Sequence, residues 1–153
     1  AEEGWDFQSS RINKDSIGRM YFEYQRPQEW GLNFSDSLCR LDIPAGRHLD
    51  LIADINTDQS ELSAVWVATF DQQHTDQIWR GKTLQLIPGS IKNNYKAYFS
   101  LDTQILLKAE DWNRQYFKFY IWNKGQDQFN IYDIKIQSRA SNPIKYGLFQ
   151  RLP

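Results

Sequence analysis

The feature that most limits the fold of this chain is a strict alternation of side chains over residues 116–122. One set of alternate positions is entirely apolar and consists of Phe117, Phe119 and Ile121. The other set is aromatic or charged and consists of Tyr116, Lys118, Tyr120 and Trp122. Successive side chains of a β-strand point to opposite sides, so this pattern predicts a strand with one face in a hydrophobic core.

A second apolar run follows after a short polar loop. Its apolar residues change register along the run, first Phe129 and Ile131, then Ile134 and Ile136. A slip of one residue is typical of a β-bulge, here at Tyr132-Asp133. The two runs and the loop predict a hairpin in which residues 116–122 and 129–136 pair as antiparallel neighbours.

The rest of the chain shows short alternating runs separated by turn signals. They predict strands at residues 18–25, 38–43, 49–55, 63–70 and 95–101. No long stretch has helical period, and no repeat or linker divides the 153 residues. We therefore predict one all-β domain over residues 1–153, an antiparallel β-sandwich of about eight or nine strands. Residues 139–153 are expected to form a C-terminal strand or tail.

The apolar faces of these runs predict the core. Its expected members are Phe22, Cys39, Leu41, Leu49, Leu51, Ile55, Phe99, Leu101, Phe117, Phe119, Ile121, Phe129, Ile131, Ile134 and Ile136. Trp66 belongs to an otherwise apolar face and is expected in the core as well. Cys39 alternates with Leu41 and Ile43, which indicates a buried thiol rather than a reactive one.

The composition gives no support to two classes of function. The 18 basic and 19 acidic side chains leave a net charge of -1, so no general attraction to nucleic acid or an anionic membrane is expected. No apolar run approaches the roughly 18 residues of a membrane span. Aromatic residues make up 15% of the chain, with six Trp, and this richness requires an explanation.

The two apolar runs resemble the closing strands of a known fold family. The stretches Tyr120-Ile121-Trp122-Asn123 and Ile131-Tyr132-Asp133-Ile134-Lys135-Ile136 are similar to the last hairpin of galactose-binding-like jelly rolls. Many non-catalytic carbohydrate-binding modules belong to that group. Their last strand often carries two consecutive Asp residues, whereas here Tyr132 replaces the first. The resemblance implies that the sandwich is of jelly-roll type.

The same resemblance implies a structural calcium ion. Similar modules often hold one with a late-strand Asp and N-terminal carboxylates. Asp133 with Glu2, Glu3 or Asp6 would supply oxygen ligands of the kind that calcium prefers. The alternative is that Asp133 is a solvated bulge residue without a metal, and no other cofactor is expected.

Sugar rings bind to flat aromatic faces, while amide and carboxylate side chains meet their hydroxyl groups. Trp122 and Tyr120 are two residues apart, so both project from the outward side of the predicted strand. The residues expected to line a sugar-binding groove are Tyr98, Tyr120 and Trp122, with Lys118 and Asp50 or Asp54 nearby. The alternative is that the N-terminal segment or residues 139–153 cover these rings.

Two further tryptophans, Trp79 and Trp112, stand in or beside polar segments. Aromatic residues at loop tips form the second common sugar site in jelly rolls similar to this chain. The resemblance therefore implies that role for both residues. The alternative for each is that it plugs one end of the sandwich.

Catalysis finds little support in the sequence. His48 and His74 are the only histidines, and no Gly-x-Ser-x-Gly elbow, His-Glu-x-x-His motif or Gly-rich phosphate loop occurs. Tyr116-Phe117-Lys118 resembles one strand of jelly-roll polysaccharide lyases, but Gln77-Ile78-Trp79 has Trp where those enzymes carry His. We expect no catalytic residues, and a polysaccharide-degrading enzyme is the least favoured hypothesis.

The sequence therefore predicts a non-catalytic module that stacks an oligo- or polysaccharide on exposed aromatic rings. We expect an extracytoplasmic location, which means secreted, periplasmic or at the cell surface. The alternative is an extracytoplasmic accessory domain that binds other domains of a larger protein. Coplanar exposed rings beside a groove would favour sugar, whereas a broad mixed apolar patch would favour protein.

Overall fold

Two antiparallel β-sheets face each other in the computed structural model of this chain. The model describes residues 4–41, 48–71, 77–103 and 114–139. Within these ranges there are eleven strands and one 3₁₀ turn at Ser9–Arg11. The described part of the chain contains no helix that is long and apolar enough to cross a membrane.

The first sheet has five strands. Its spatial order is β1 (Trp5–Asp6), β4 (Asn33–Ser37), β10 (Tyr116–Trp122), β6 (Val65–Asp71) and β7 (Gln77–Thr83). Every neighbouring pair in this sheet is antiparallel. The alternating stretch therefore lies in the middle of the sheet, flanked by β4 and β6.

The second sheet has six strands. Its spatial order is β2 (Ile12–Lys14), β3 (Met20–Tyr24), β11 (Phe129–Arg139), β5 (His48–Asn56), β9 (Asn94–Asp102) and β8 (Ile87–Pro88). Its pairs are antiparallel as well. The chain crosses between the sheets repeatedly, which confirms an antiparallel sandwich of jelly-roll type.

One core fills the space between the two sheets. The predicted core residues that are buried are Phe22, Leu49, Leu51, Ile55, Phe99, Leu101, Phe117, Phe119, Ile121, Phe129 and Ile131. Trp66 is fully buried, as predicted. The ring centroid of Phe119 lies 5.6, 5.5 and 6.3 Å from those of Trp5, Phe34 and Trp66. These contacts place the alternating strand at the centre of the core.

The predicted burial of Cys39 is wrong, because its thiol is exposed. The strand in this region is β4, and it ends at Ser37. The backbone N–H groups of Arg40 and Leu41 then donate to the Ser37 carbonyl, which makes residues 38–41 a turn. Three other predicted core residues are only partly buried against the core, namely Leu41, Ile134 and Ile136.

The predicted hairpin of residues 116–122 and 129–136 is also wrong. β10 pairs with β4 and β6 in one sheet, whereas β11 pairs with β3 and β5 in the other. Each strand turns its apolar face to the core from opposite sides, so the loop between them is an arch across the sandwich. The predicted bulge is confirmed by a register shift between Ile131 and Asp133.

Residues 139–153 contribute only Arg139, the last residue of β11, to the described chain. The predicted C-terminal strand or tail otherwise lies outside the described residues and stays a prediction.

We predict that Phe119→Ala will lower the free energy of unfolding by about 3–5 kcal/mol, because it empties an aromatic site in the middle of the core. Urea denaturation measures this change. The matched control is Tyr116→Ala on the same strand, whose ring points outward and is 49% exposed. A loss below about 1 kcal/mol for Phe119→Ala would show that the wrong face of β10 has been assigned to the core.

Candidate functional site

The outer face of the five-stranded sheet carries a group of exposed and half-buried aromatic rings. On β10 the outward side chains are Tyr116, Lys118, Tyr120 and Trp122, because the intervening residues are buried. Tyr120 lies opposite Asn33 of β4 on one side and Val67 of β6 on the other. This cross-strand row forms the middle of the candidate site.

Trp30 completes an aromatic cluster with Tyr120 and Trp122. Its ring lies nearly parallel to that of Trp122, with an interplanar angle of 7° and 5.8 Å between centroids. Its edge-to-face contact with Tyr120 has a centroid distance of 5.9 Å. Trp30 is 56% exposed, whereas Trp122 is half-buried. Trp30 is therefore the more exposed ring of the stacked pair, and Trp122 packs against it.

Asn123 fixes the loop that carries Trp30. Its backbone N–H donates to the Glu29 carbonyl at 2.8 Å, and its side-chain amide donates to the Gln28 carbonyl at 2.8 Å. The indole Nε1 of Trp122 donates to the Glu29 carboxylate at 2.9 Å. Two consecutive residues at the end of β10 thus hold the segment immediately before Trp30.

Arg11 of the 3₁₀ turn and Tyr24 of β3 secure the other side of this loop. Arg11 Nη1 donates to the Trp30 carbonyl at 2.6 Å, and its guanidinium lies 4.5 Å from the Phe22 ring centroid. The Tyr24 hydroxyl accepts a hydrogen bond from the Leu32 N–H at 3.0 Å. Burial raises the pKa of Tyr24, so this hydroxyl stays neutral as pH rises into the alkaline range. The backbone around Trp30 is therefore held before any ligand arrives.

Trp79 lies on the same outer face but two strands away. It belongs to β7, not to a loop tip, and it is 53% exposed. Its six-membered ring lies over Gly81, so close that a Cβ there would collide with it. Gly81 pairs with Val67, which pairs with Tyr120. The Trp79 ring therefore lies in the Tyr120 row, about 10 Å away at two strand spacings.

A shallow cavity opens between the Trp30 loop and β10. It has a volume of about 340 Å³ and is lined by Trp30, Gly31, Leu32, Asn33, Lys118, Tyr120 and Ile121. The Lys118 ammonium lies 5.8 Å from the Tyr120 ring centroid. In the described chain neither Lys118 nor the Asn33 side chain has an ion pair or side-chain hydrogen bond. The cavity thus combines aromatic faces with polar side chains that have no ion pair or side-chain hydrogen bond within the described chain.

The predicted groove that joins Tyr98 to Tyr120 and Trp122 is contradicted. Tyr98 is on β9 in the six-stranded sheet, between two buried residues, so its 41% exposed ring points outward from the opposite face of the sandwich. The sequence places all three rings outward but does not say from which sheet. Tyr98 is therefore separated from the other two by the whole core.

The carboxylates expected beside this groove accompany Tyr98 instead. Asp50 accepts hydrogen bonds from Ser100 Oγ at 2.7 Å and from Arg139 Nε. Asp54 accepts one from Lys96 Nζ at 2.6 Å, and this bond raises the pKa of Lys96. Both carboxylates are already paired with neighbours on the six-stranded sheet.

The described residues do not fit a calcium site. No group of three or more Asp, Glu, His or Cys side chains that could hold a metal exists among them. Asp133 lies opposite Asp54 in the backbone register of β11 and β5, and the Asp54 carboxylate already forms an ion pair with Lys96. Asp6 belongs to the other sheet. Glu2 and Glu3 precede the first described residue, so the calcium ion stays a prediction.

Trp112 falls in the gap between residues 103 and 114, so its predicted role stays untested by the structure. Trp30, in contrast, is not among the site residues that the sequence predicts. The available signal is the Trp30-Gly31 pair in a polar segment after Pro27. It points to a turn but not to the ring against which Trp30 stacks.

Comparisons with known proteins found likeness to solved structures but not to sequences. No family model matches the sequence, and a search of curated proteins found no similar sequence. The solved structure described as "CBM4 structure and function" aligns over 90% of this chain and 96% of its own, with 11% identity and a TM-score of 0.45. A non-crystalline cellulose specific carbohydrate-binding module, CBM28, aligns over 88% of each chain, with 9% identity and a TM-score of 0.49. Likenesses at this level assign neither a ligand nor a site residue to this chain.

We predict that Asn123→Ala will lower the free energy of unfolding by about 2–4 kcal/mol. The side chain, which is fully buried, bonds the Gln28 carbonyl and both the N–H and the carbonyl of Asp127. Truncation leaves these groups without partners, at about 1–3 kcal/mol for each one that stays buried. Urea denaturation measures the loss, and circular dichroism follows the coupling between the stacked Trp30 and Trp122 indoles.

The control for this prediction is Asn130→Ala, since the Asn130 amide makes one long hydrogen bond of 3.4 Å to Asn56. We expect a loss below about 1 kcal/mol there. Equal stability of the two variants, with an unchanged indole signal, would contradict the role given to Asn123.

Proposed function

We propose that this chain is a non-catalytic glycan-binding module whose site is the outer face of the five-stranded sheet. The observation that carries the proposal is the parallel pair of Trp30 and Trp122, because Trp30 leaves more than half of its surface open beside a cavity. An exposed aromatic ring is costly to leave in water and suits the C–H-rich face of a sugar.

The arrangement of the rings supports a chain of several sugars. Tyr120 and the ring of Trp79 lie along one line across β10, β6 and β7, and Trp30 adjoins Tyr120 through an edge-to-face contact. Asn33 lies in the same row and offers an amide to sugar hydroxyl groups. A linear oligosaccharide laid across the strands would meet aromatic faces near both ends of this line.

Binding without catalysis is proposed because the described residues around the rings offer no pair of reactive groups. The Glu29 carboxylate is engaged by the Trp122 indole. His48 is buried in the other sheet, with Nε2 3.6 Å from an Asp102 carboxylate oxygen. Glycoside hydrolysis requires two carboxyl groups that flank the scissile bond, whereas Asp6 and Asp71 on this face are three strand spacings apart, roughly 14 Å across the sheet.

Polysaccharide as the partner and an extracytoplasmic location belong to the same proposal. Each stacked sugar contributes only a few kcal/mol, part of which offsets the lost freedom of the ligand. We therefore expect a dissociation constant of about 0.01–1 mM for a short oligosaccharide. If no glycan binds, the alternative function as a protein-binding accessory domain is favoured.

We predict that Trp30→Ala, Tyr120→Ala and Trp79→Ala will each weaken polysaccharide binding about tenfold or more, because each removes a stacking face worth at least about 1.4 kcal/mol. Affinity electrophoresis in gels containing hydroxyethylcellulose, xylan, mixed-linkage β-glucan or polygalacturonate measures the change. The matched control is Tyr98→Ala, an exposed tyrosine on the opposite sheet. Retained binding by all three variants, or lost binding by the control, would overturn the assignment of the face.

A second prediction concerns the position of the Trp79 ring rather than its presence. In Gly81→Ala the new methyl group occupies space that the Trp79 ring now fills, so the ring must lift from the sheet. We expect binding to weaken several-fold, while the urea midpoint changes little because β7 is an edge strand. Binding equal to that of the wild-type chain would indicate that Trp79 does not contact the ligand.

A further inference from the structure

We propose that this site prefers acidic glycans, with Lys118 and Asn33 binding the carboxylate of a uronic acid residue that stacks on Tyr120. This inference rests on the proposed function and names its ligand class. The supporting feature is the cavity of about 340 Å³ that Lys118, Asn33, Trp30 and Tyr120 line together.

The surroundings of Lys118 explain why it is available. Its partners across the sheet are Ser35 on β4 and Thr69 on β6, and both are neutral hydroxyl residues. The side chain is exposed, and within the described chain it has no carboxylate partner. An unpaired ammonium group between two hydroxyls attracts an anion without first breaking an ion pair.

None of the acidic side chains on the described part of this face is a cross-strand neighbour of Lys118. Asp6 lies beyond Asn33 on the edge strand β1, in the Tyr120 row rather than the Lys118 row. Asp71 on β6 lies opposite Tyr116, in the outward row next to that of Lys118, and it already has an interaction partner. Glu29 accepts from the Trp122 indole. The Lys118 ammonium lies 5.8 Å from the centroid of the Tyr120 ring.

The chemistry of this group of residues suits a carboxylate. An ammonium and an amide N–H₂ both donate hydrogen bonds, and a carboxylate is an acceptor that uses two or more donors at once. A uronic acid has the ring face of a neutral hexose and differs in carrying a carboxylate at the exocyclic carbon. It therefore satisfies the stacking faces and the free donors with one sugar.

The test compares ligands that differ only in this carboxylate. Oligomers of β-1,4-linked glucuronate are compared with oligomers of β-1,4-linked glucose, and polygalacturonate with its methyl ester, by isothermal titration calorimetry. We expect at least one acidic member to bind about 5–20-fold tighter than its neutral counterpart, as for a charged hydrogen bond at a partly exposed site. Raising NaCl from about 0.05 to 0.5 M should reduce this preference, because salt screens exposed charges.

Substitution of the cation provides the second arm. Lys118→Met keeps the apolar stem and should remove the preference, so that the acidic ligand and its neutral counterpart bind this variant within about twofold of each other. Lys118→Arg should retain most of it. The matched control is Lys135→Met, an exposed lysine on the six-stranded sheet, which should bind as the wild-type chain does.

The outcomes separate this inference from the proposed function. Equal affinity for acidic and neutral partners, or a preference that survives in Lys118→Met, would overturn the uronate assignment and leave glycan binding in place. Preference for a sulfated polymer such as dextran sulfate over every carboxylated one would also overturn it. Absence of binding to all of these polymers would overturn both proposals together.

Discussion

The hydrogen bonds of Asn123 are the interaction on which the candidate site depends most. Asn123 stands where the chain leaves β10 and arches across the sandwich toward β11. Its side chain closes the arch by bonding both backbone groups of Asp127 and reaches the Gln28 carbonyl as well. Asp127 in turn accepts the Ser63 N–H at 2.8 Å. One buried amide thus links the arch, the Trp30 loop and the segment before β6.

This arrangement makes the aromatic face rigid before a ligand binds. A tryptophan on a free loop would lose conformational freedom when it stacks on a sugar, and that loss would reduce the affinity. Here the backbone at and next to Trp30 is bonded to Arg11 and Asn123, and the neighbouring Glu29 side chain is bonded to Trp122. The ring itself stacks on a half-buried indole, so little further ordering is needed. A weak ligand benefits most from such preorganisation, because its total binding energy is small.

The sequence predicted the strands and the inward faces better than it predicted which strands meet. Alternation over residues 116–122 reports which side of a strand is apolar, and the burial of Phe117, Phe119 and Ile121 agrees with it. The same alternation carries no information about the neighbouring strand. Both β10 and β11 have an apolar face, and this pattern fits a hairpin as well as two facing sheets.

The residues of the candidate site are harder to predict from the sequence, for the same physical reason. Tyr120 and Trp122 share a face because they are two residues apart on one strand, which periodicity can show. Trp30 joins them through contacts between distant parts of the chain, since Glu29 and Trp122 are 93 residues apart. Periodicity shows correctly that Tyr98 points outward, but the sheet to which it belongs is fixed by the pairing of β9 with distant β5.

The central claim is that glycan binds to the outer face of the five-stranded sheet. Its most direct test is a two-dimensional ¹H–¹⁵N NMR titration with the oligosaccharides named above, which resolves the indole N–H signals of individual tryptophans. The account predicts shifts for Trp30, Trp79 and Trp122, with the core residue Trp66 unchanged. Shifts confined to backbone amides of β5, β9 and β11 around Tyr98, or no shifts with any of the oligosaccharides, would contradict it.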